Sequence, residues 1–157
     1  MHLKYLTFSI AAAFISWIAG MIITEILKRS GQYHKLANLN YITSEKANKY
    51  LGLDAFKWVV KNTFFKYFNP KLTLKNKVEL QRLEELRAEM TFSEISHLTA
   101  FCSVCVLALL KIIKGEFIFA AVITAVNILM NLYPSLLQQQ NKRRIDKFLN
   151  KLKLRGI

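Results

Sequence analysis

Residues Leu98–Leu137, LTAFCSVCVLALLKIIKGEFIFAAVITAVNILMNLYPSLL, decide the fold. Two apolar runs, Leu98–Ile113 and Phe117–Leu137, flank Lys114-Gly115-Glu116, and a connection this short returns the second run antiparallel to the first. The second run is interrupted only by Thr124, Asn127, Asn131, Pro134 and Ser135 and has the length of a membrane-crossing helix. The first is shorter, and Lys111 near its end has to stretch its ammonium back toward water along its aliphatic stem. A transmembrane hairpin is the expectation, with Pro134 marking a place where the helix bends or ends.

A third run lies upstream. Leu6–Leu27, LTFSIAAAFISWIAGMIITEIL, carries Glu25 as its one charge. At the helical rise it reaches roughly 33 Å, enough to cross the hydrocarbon core. A secretory signal would have a shorter apolar region and a small-residue cleavage site; this run leads straight into Lys28-Arg29 and reads as a retained anchor. Composition agrees: 53% hydrophobic residues coexist with 23 Lys and Arg against 10 Asp and Glu, a net charge of +13. Disorder is excluded by that much apolar surface, and a disulfide scaffold by a cysteine set limited to Cys102 and Cys105. A soluble nucleic-acid binder would explain the charge and not the apolar runs, so no nucleic-acid partner is expected. The reading is an all-α integral membrane protein with three transmembrane helices.

Charge distribution sets the expected orientation. Residues 141–157 hold seven basic side chains against Asp146, and residues 28–96 hold 13 basic and 7 acidic ones. Both segments are predicted to be cytoplasmic, with the N-terminus outside the cell membrane. Four regions follow: an N-terminal anchor over 1–27, a cytoplasmic interfacial helical region over 28–96, the hairpin over 97–140, and a basic tail over 141–157.

Two amphipathic helices are expected in the cytoplasmic region. In Tyr50–Asn69, Phe56, Val59, Val60, Phe64 and Phe68 fall at helical spacing with Lys57, Lys61 and Lys66 between them, and Trp58 and Tyr67 suit headgroup depth. Asn69-Pro70 ends that helix. In Asn76–Ser96, Leu80, Leu83, Leu86 and Met90 form one stripe, and no Gly or Pro separates this segment from the second span.

Polar groups at membrane depth are expensive and are the places to look for function. Glu94 and His97 stand at i and i+3 on one helix face. Asn127, Asn131, Pro134, Gln138 and Asn141 repeat at intervals of 4, 3, 4 and 3, which is one stripe of an α-helix. With the hairpin turn near residue 115, facing residues have numbers totalling about 230, so Glu94 and His97 should meet Asn131 and Gln138, with Arg143 and Arg144 just below. Each feature also has a plain reading. Glu94 and His97 fit a solvated interface, the asparagines fit interhelical hydrogen bonding, and the basic tail fits a topology signal. Cys102 and Cys105 have a redox or metal spacing, but one pair inside an apolar helix reads as packing. No metal site, cofactor motif or phosphate loop is expected.

The stretch Asn131-Leu-Tyr-Pro-Ser-Leu-Leu-Gln138-Gln-Gln-Asn141-Lys-Arg-Arg144-Ile145 resembles the C-terminal pattern of the glycosyl-4,4'-diaponeurosporenoate acyltransferase family, an Asn, a nearby Pro, then Gln-Arg-Tyr-Asn-Arg-x-Arg-Leu. Ser93-Glu94-Ile-Ser-His97-Leu is similar to that family's Ala-Glu-x-x-His-Trp stretch, and Leu53-Asp-Ala-Phe-Lys-Trp58 to its Arg-x-Trp-Lys region. Gln139 and Gln140 stand where the family has Arg and Tyr, and Leu98 where it has Trp. Arg87-Ala88-Glu89 offers a second alignment, but it puts Phe92 at the His position. The resemblance implies acyl transfer to a hydroxyl of a lipid or glycolipid, a carotenoid glycoside in the family. Membrane lipid and an acyl-coenzyme A or acyl-carrier donor are the implied partners. His97 is then the base and Glu94 its support, with Asn131, Gln138, Asn141, Arg143, Arg144 and Trp58 binding substrate. The alternative is a non-catalytic subunit whose helices anchor a membrane-protein partner; a thiol-quinone oxidoreductase using Cys102 and Cys105 is a more distant third.

Overall fold

A computed structural model describes residues 2–62 and 80–154. Its elements are α1 (His2–Lys28), α2 (Gln32–Ala37), α3 (Glu45–Tyr50), α4 (Leu53–Asn62), α5 (Leu80–Ile113), α6 (Phe117–Asn127), a π-helical turn (Ile128–Leu132) and α7 (Tyr133–Leu154). Among the described residues no strand occurs. Phe64, Lys66, Tyr67, Phe68, Asn69-Pro70 and the expected helix start at Asn76 lie outside them.

Three helices are long and apolar enough to cross a membrane: Leu3–Lys28, Leu80–Ile113 and Phe117–Leu152. The chain is a multi-pass membrane protein. Its packing agrees, because α1 is built inside out relative to a soluble helix. Its exposed face carries Phe14, Ile15, Ile18, Ile22 and Ile26, whereas Ser9, Ala13 and Thr24 are buried. Hydrocarbon rewards bulky groups outside, and small residues inside let the helices approach. The buried hydroxyls are satisfied within α1: Ser9 Oγ donates to the Tyr5 carbonyl and Thr24 Oγ1 to the Gly20 carbonyl, both at 2.7 Å.

The chain divides into two compact units, one of residues 1–39 and 92–135, the other of residues 40–91 and 136–157. In the first, α1 crosses α5 where Gly20 lies against the Ser96 carbonyl so closely that a Cβ would overlap it. Ser96 Oγ donates to Thr24 Oγ1 at 3.1 Å beside that contact. At the hairpin end, Val104, Ala108, Phe119 and Ile123 form a core on which Tyr5 packs, its ring stacked on Phe119 at 4.3 Å. Gly115 supplies the turn with φ of 74°, and Lys111 Nζ meets Glu116 at 3.1 Å.

In the second unit, Leu83 of α5 packs on Ile145 and Leu149 of α7, with Leu80, Leu86, Met90 and Leu152 around them. The Arg87 guanidinium pairs with the Asp146 carboxylate. The segment expected as a tail from residue 141 is therefore helical through Leu154. Upstream, Ser44 caps α3 by accepting from the Ala47 N–H at 3.3 Å. The helix expected to start at Tyr50 starts at Leu53: α3 ends at Tyr50, and Gly52, with φ of 72°, turns the chain before α4.

Pro134 does not end the last span. It lacks an N–H, and its ring would collide with the carbonyl four residues back. The turn before it widens instead, and the Tyr133 N–H reaches the Ile128 carbonyl, five residues away.

Candidate functional site

In an α-helix, residues four apart drift by about 40° per step, so a row of such residues winds off its face. The wide turn at Ile128–Leu132 takes up that drift. Asn127, Asn131 and Ser135, all at most 1% exposed, consequently remain in one row. Asn127 Nδ2 donates to the Phe101 carbonyl at 3.0 Å and lies 3.6 Å from Cys105 Sγ. Asn131 Nδ2 donates to Asn127 Oδ1 at 2.9 Å, and Ser135 Oγ donates to the Glu94 carbonyl at 3.0 Å. Residue numbers across these pairs total about 230, the register expected from a turn at Gly115.

This ladder has a direction. A carbonyl can only accept, so Phe101 fixes Asn127 with its amide nitrogen toward α5 and its oxygen toward Asn131. Asn131 must then donate to Asn127, which leaves Asn131 Oδ1 buried and unpartnered. The Asn131 amide neighbours the His97 ring. His97 Nδ1 is likewise buried without a hydrogen bond, so Glu94 does not hold that nitrogen. The ring is oriented by Trp17 of α1, which stacks on it with centroids 5.6 Å apart and planes 11° apart. Glu94, 2% exposed, sits one turn earlier on α5. The first unit thus brings together Glu94, His97 and Asn131 among the expected site residues.

Gln138, Asn141, Arg143, Arg144 and Trp58 belong to the second unit. The inward face of α7 is displaced by one residue from the expected stripe. Ser135, Gln139 and Lys142 are buried, whereas Pro134, Gln138 and Asn141 are half-buried. The extra residue in the π-helical turn causes the displacement, because every position beyond it rotates by about 100°. Gln139 Oε1 accepts from the Ile42 N–H at 3.1 Å, and the Arg143 guanidinium donates to the Ile42 carbonyl, so α7 holds both polar groups of one residue in the segment between α2 and α3. Arg144 is exposed and Trp58 is 65% exposed. Among the described residues, no group of three or more His, Cys, Asp or Glu side chains is placed to hold a metal ion.

The polar row on the last span, the Glu94/His97 pair and the basic α7 lie in one continuous match: the glycosyl-4,4'-diaponeurosporenoate acyltransferase profile covers residues 29–151. The chain belongs to this acyltransferase family. Comparison with curated proteins and with solved structures gave no match. The acyltransferase match begins after α1, so Trp17 lies outside it. Sequence spacing had no means of finding Trp17, because nothing in a uniformly apolar run says which face meets α5. Gln139 and Lys142 had a signal of the wrong kind: one stood at a departure from the family pattern, the other inside a run of cations that reads as solvated.

Proposed function

We propose that the protein is an enzyme that moves an acyl group onto a hydroxyl of a lipid or glycolipid, a carotenoid glycoside in keeping with its family, with His97 as the general base. The observation that carries this is the Nδ1 of His97, buried under Trp17 without a hydrogen bond, with the Asn131 side chain against the ring. A neighbouring sugar hydroxyl donates to Asn131 Oδ1 and positions the acceptor. The reacting hydroxyl gives its proton to His97 Nδ1 as its oxygen adds to the acyl carbonyl. Collapse of the tetrahedral intermediate expels the donor's leaving group, which takes the proton from the imidazolium. Glu94 supports that transient cation by charge. Gln138, Asn141, Arg143, Arg144 and Trp58 bind substrate in the second unit. The protein lies in the cell membrane with its N-terminus outside and its C-terminus in the cytoplasm, an orientation supported by the charge bias of the sequence.

Mass spectrometry of lipid extracts from cells with and without the protein tests the reading. A species heavier by one acyl group, absent when His97 is replaced by Ala in a chain that still inserts normally, is the expected result. An unchanged lipidome together with a co-purifying membrane enzyme would replace the acyltransferase with a non-catalytic anchoring subunit.

A further inference from the structure

The inward face of α1 is built from small side chains with one exception. Ser9, Ala13, Gly20 and Thr24 are buried, and Trp17 continues their helical spacing. The bulky residues around it, Phe14, Ile15, Ile18 and Ile22, face outward. A helix that packs through small groups gains no closeness from the largest side chain at its middle. What Trp17 meets there is the His97 ring, in an offset stack with centroids 5.6 Å apart and planes 11° apart. The crossing beside it has no slack. A Cβ on Gly20 would come within 2.3 Å of the Ser96 carbonyl oxygen, and Ser96 Oγ donates to Thr24 Oγ1 at 3.1 Å. Ser96 is the residue before His97, so the contacts that seat α1 on α5 also place the indole against the imidazole. His97 Nδ1 is buried without a hydrogen bond, so no polar partner at that atom fixes rotation about χ2, a soft torsion in histidine. A parallel stack does fix it, because turning the ring breaks the face contact. The indole face also attracts positive charge, so an imidazolium formed there gains what a neutral ring does not.

We propose that Trp17 is a positioning residue for His97, so that α1 is part of the reaction site as well as a membrane anchor. Acting through the imidazole, the indole holds Nδ1 on the acceptor hydroxyl while the proton crosses. It then stabilises the cation until the leaving group takes that proton. No bond to Trp17 forms or breaks. The proposal rests on the acyl-transfer reading of His97 and adds to it a group outside the matched residues 29–151.

The test has two readouts on the full chain. The first is NMR in phosphatidylcholine nanodiscs with isotope-labelled histidine, where His2, His34 and His97 give the signals and His97→Ala assigns the last. An aromatic face shields protons lying over it. The His97 ring protons should therefore resonate upfield of their ordinary position and move downfield in Trp17→Leu. The second readout is the acylated lipid formed in cells per inserted protein. Trp17→Leu should lower it about tenfold or more, the scale on which a misplaced catalytic group slows a reaction. Trp17→Phe restores an aromatic face and should keep the upfield shift and most of the product. Phe14→Leu, which removes an outward aromatic of the same helix, should change neither readout. Full product formation by Trp17→Leu would overturn the proposal, as would loss of product with the His97 resonances unmoved. So would the lack of an upfield shift in the unsubstituted protein, a measurement that needs no variant to fold. If His97→Ala makes product normally, the general-base reading fails and the positioning role falls with it, whatever the shift. If His97→Ala is inactive and Trp17→Leu is fully active, this inference alone fails.

Discussion

His97 and Asn127 lie in the same polar row region of the first unit, yet they answer to different measurements. Asn127 spends its amide on the Phe101 carbonyl and its oxygen on Asn131. His97 leaves a nitrogen uncommitted. A general base contributes about 10²–10⁴-fold to rate, whereas an interhelical hydrogen bond in a membrane protein contributes on the order of 0.6 kcal/mol to stability. His97→Ala should therefore cut product formation by at least about a hundredfold with little change in thermal stability. Asn127→Ala should lower the melting temperature and retain more of the turnover. Equal losses of stability in both variants, with turnover following stability, would make His97 a packing residue.

Each helix boundary that sequence periodicity placed correctly has a simple cause, and each displaced one has a local cause. The spans are written in composition, and the hairpin register follows from a turn of three residues that leaves no slack. The face of α7 beyond Pro134 was not legible, because periodicity assumes a constant turn and the proline widens one. Gly52 likewise moves to Leu53 the start of a helix whose apolar pattern begins at Tyr50. If Pro134 imposes the wide turn, Pro134→Ala should let it relax to a regular α-helix and rotate α7 by about 100°. In a chain with Cys102 and Cys105 replaced by Ser, a cysteine at Gln139 should then become more reactive to a polar thiol reagent, and one at Gln138 less so. Unchanged reactivities would mean that the packing of Asn131 and Ser135, and not the proline, holds the turn. Gly20 sets the approach of α1 to α5, where the obstacle to a larger residue is the Ser96 backbone. Gly20→Ala should destabilise the protein by about 1–3 kcal/mol and loosen the Trp17 stack on His97. Ala19→Leu, at an exposed position of the same helix, should do neither.

For the molecule as a whole, the deciding quantity is which side of the membrane the charges occupy. The first unit fixes relative directions. Lys28 Nζ lies 4.3 Å from the centre of the Phe92 ring, so the end of α1 and the start of the α5 membrane segment share a side. Tyr5 on Phe119 puts the start of α1 level with the start of α6, at the opposite side. Ser135 on the Glu94 carbonyl brings the start of α7 back to the side of Lys28. Short flanking segments rich in Lys and Arg are retained in the cytoplasm; Lys28-Arg29 flank the first unit on that side, and the sequence that follows the last span, residues 141–157, holds seven cations. The other side has Lys4 and the hairpin turn, where Lys111 is neutralised by Glu116 and Lys114 adds one cation. Reporter fusions after Lys49 and after Leu154 should therefore both read cytoplasmic, and one placed after Lys114 should read external. An external signal at Leu154 with a cytoplasmic one at Lys114 would invert the molecule and put the basic α7 out of reach of a cytoplasmic acyl donor. A soluble acyl donor would then have to approach from outside the cell, so the topology result also decides from which side acyl transfer can be supplied.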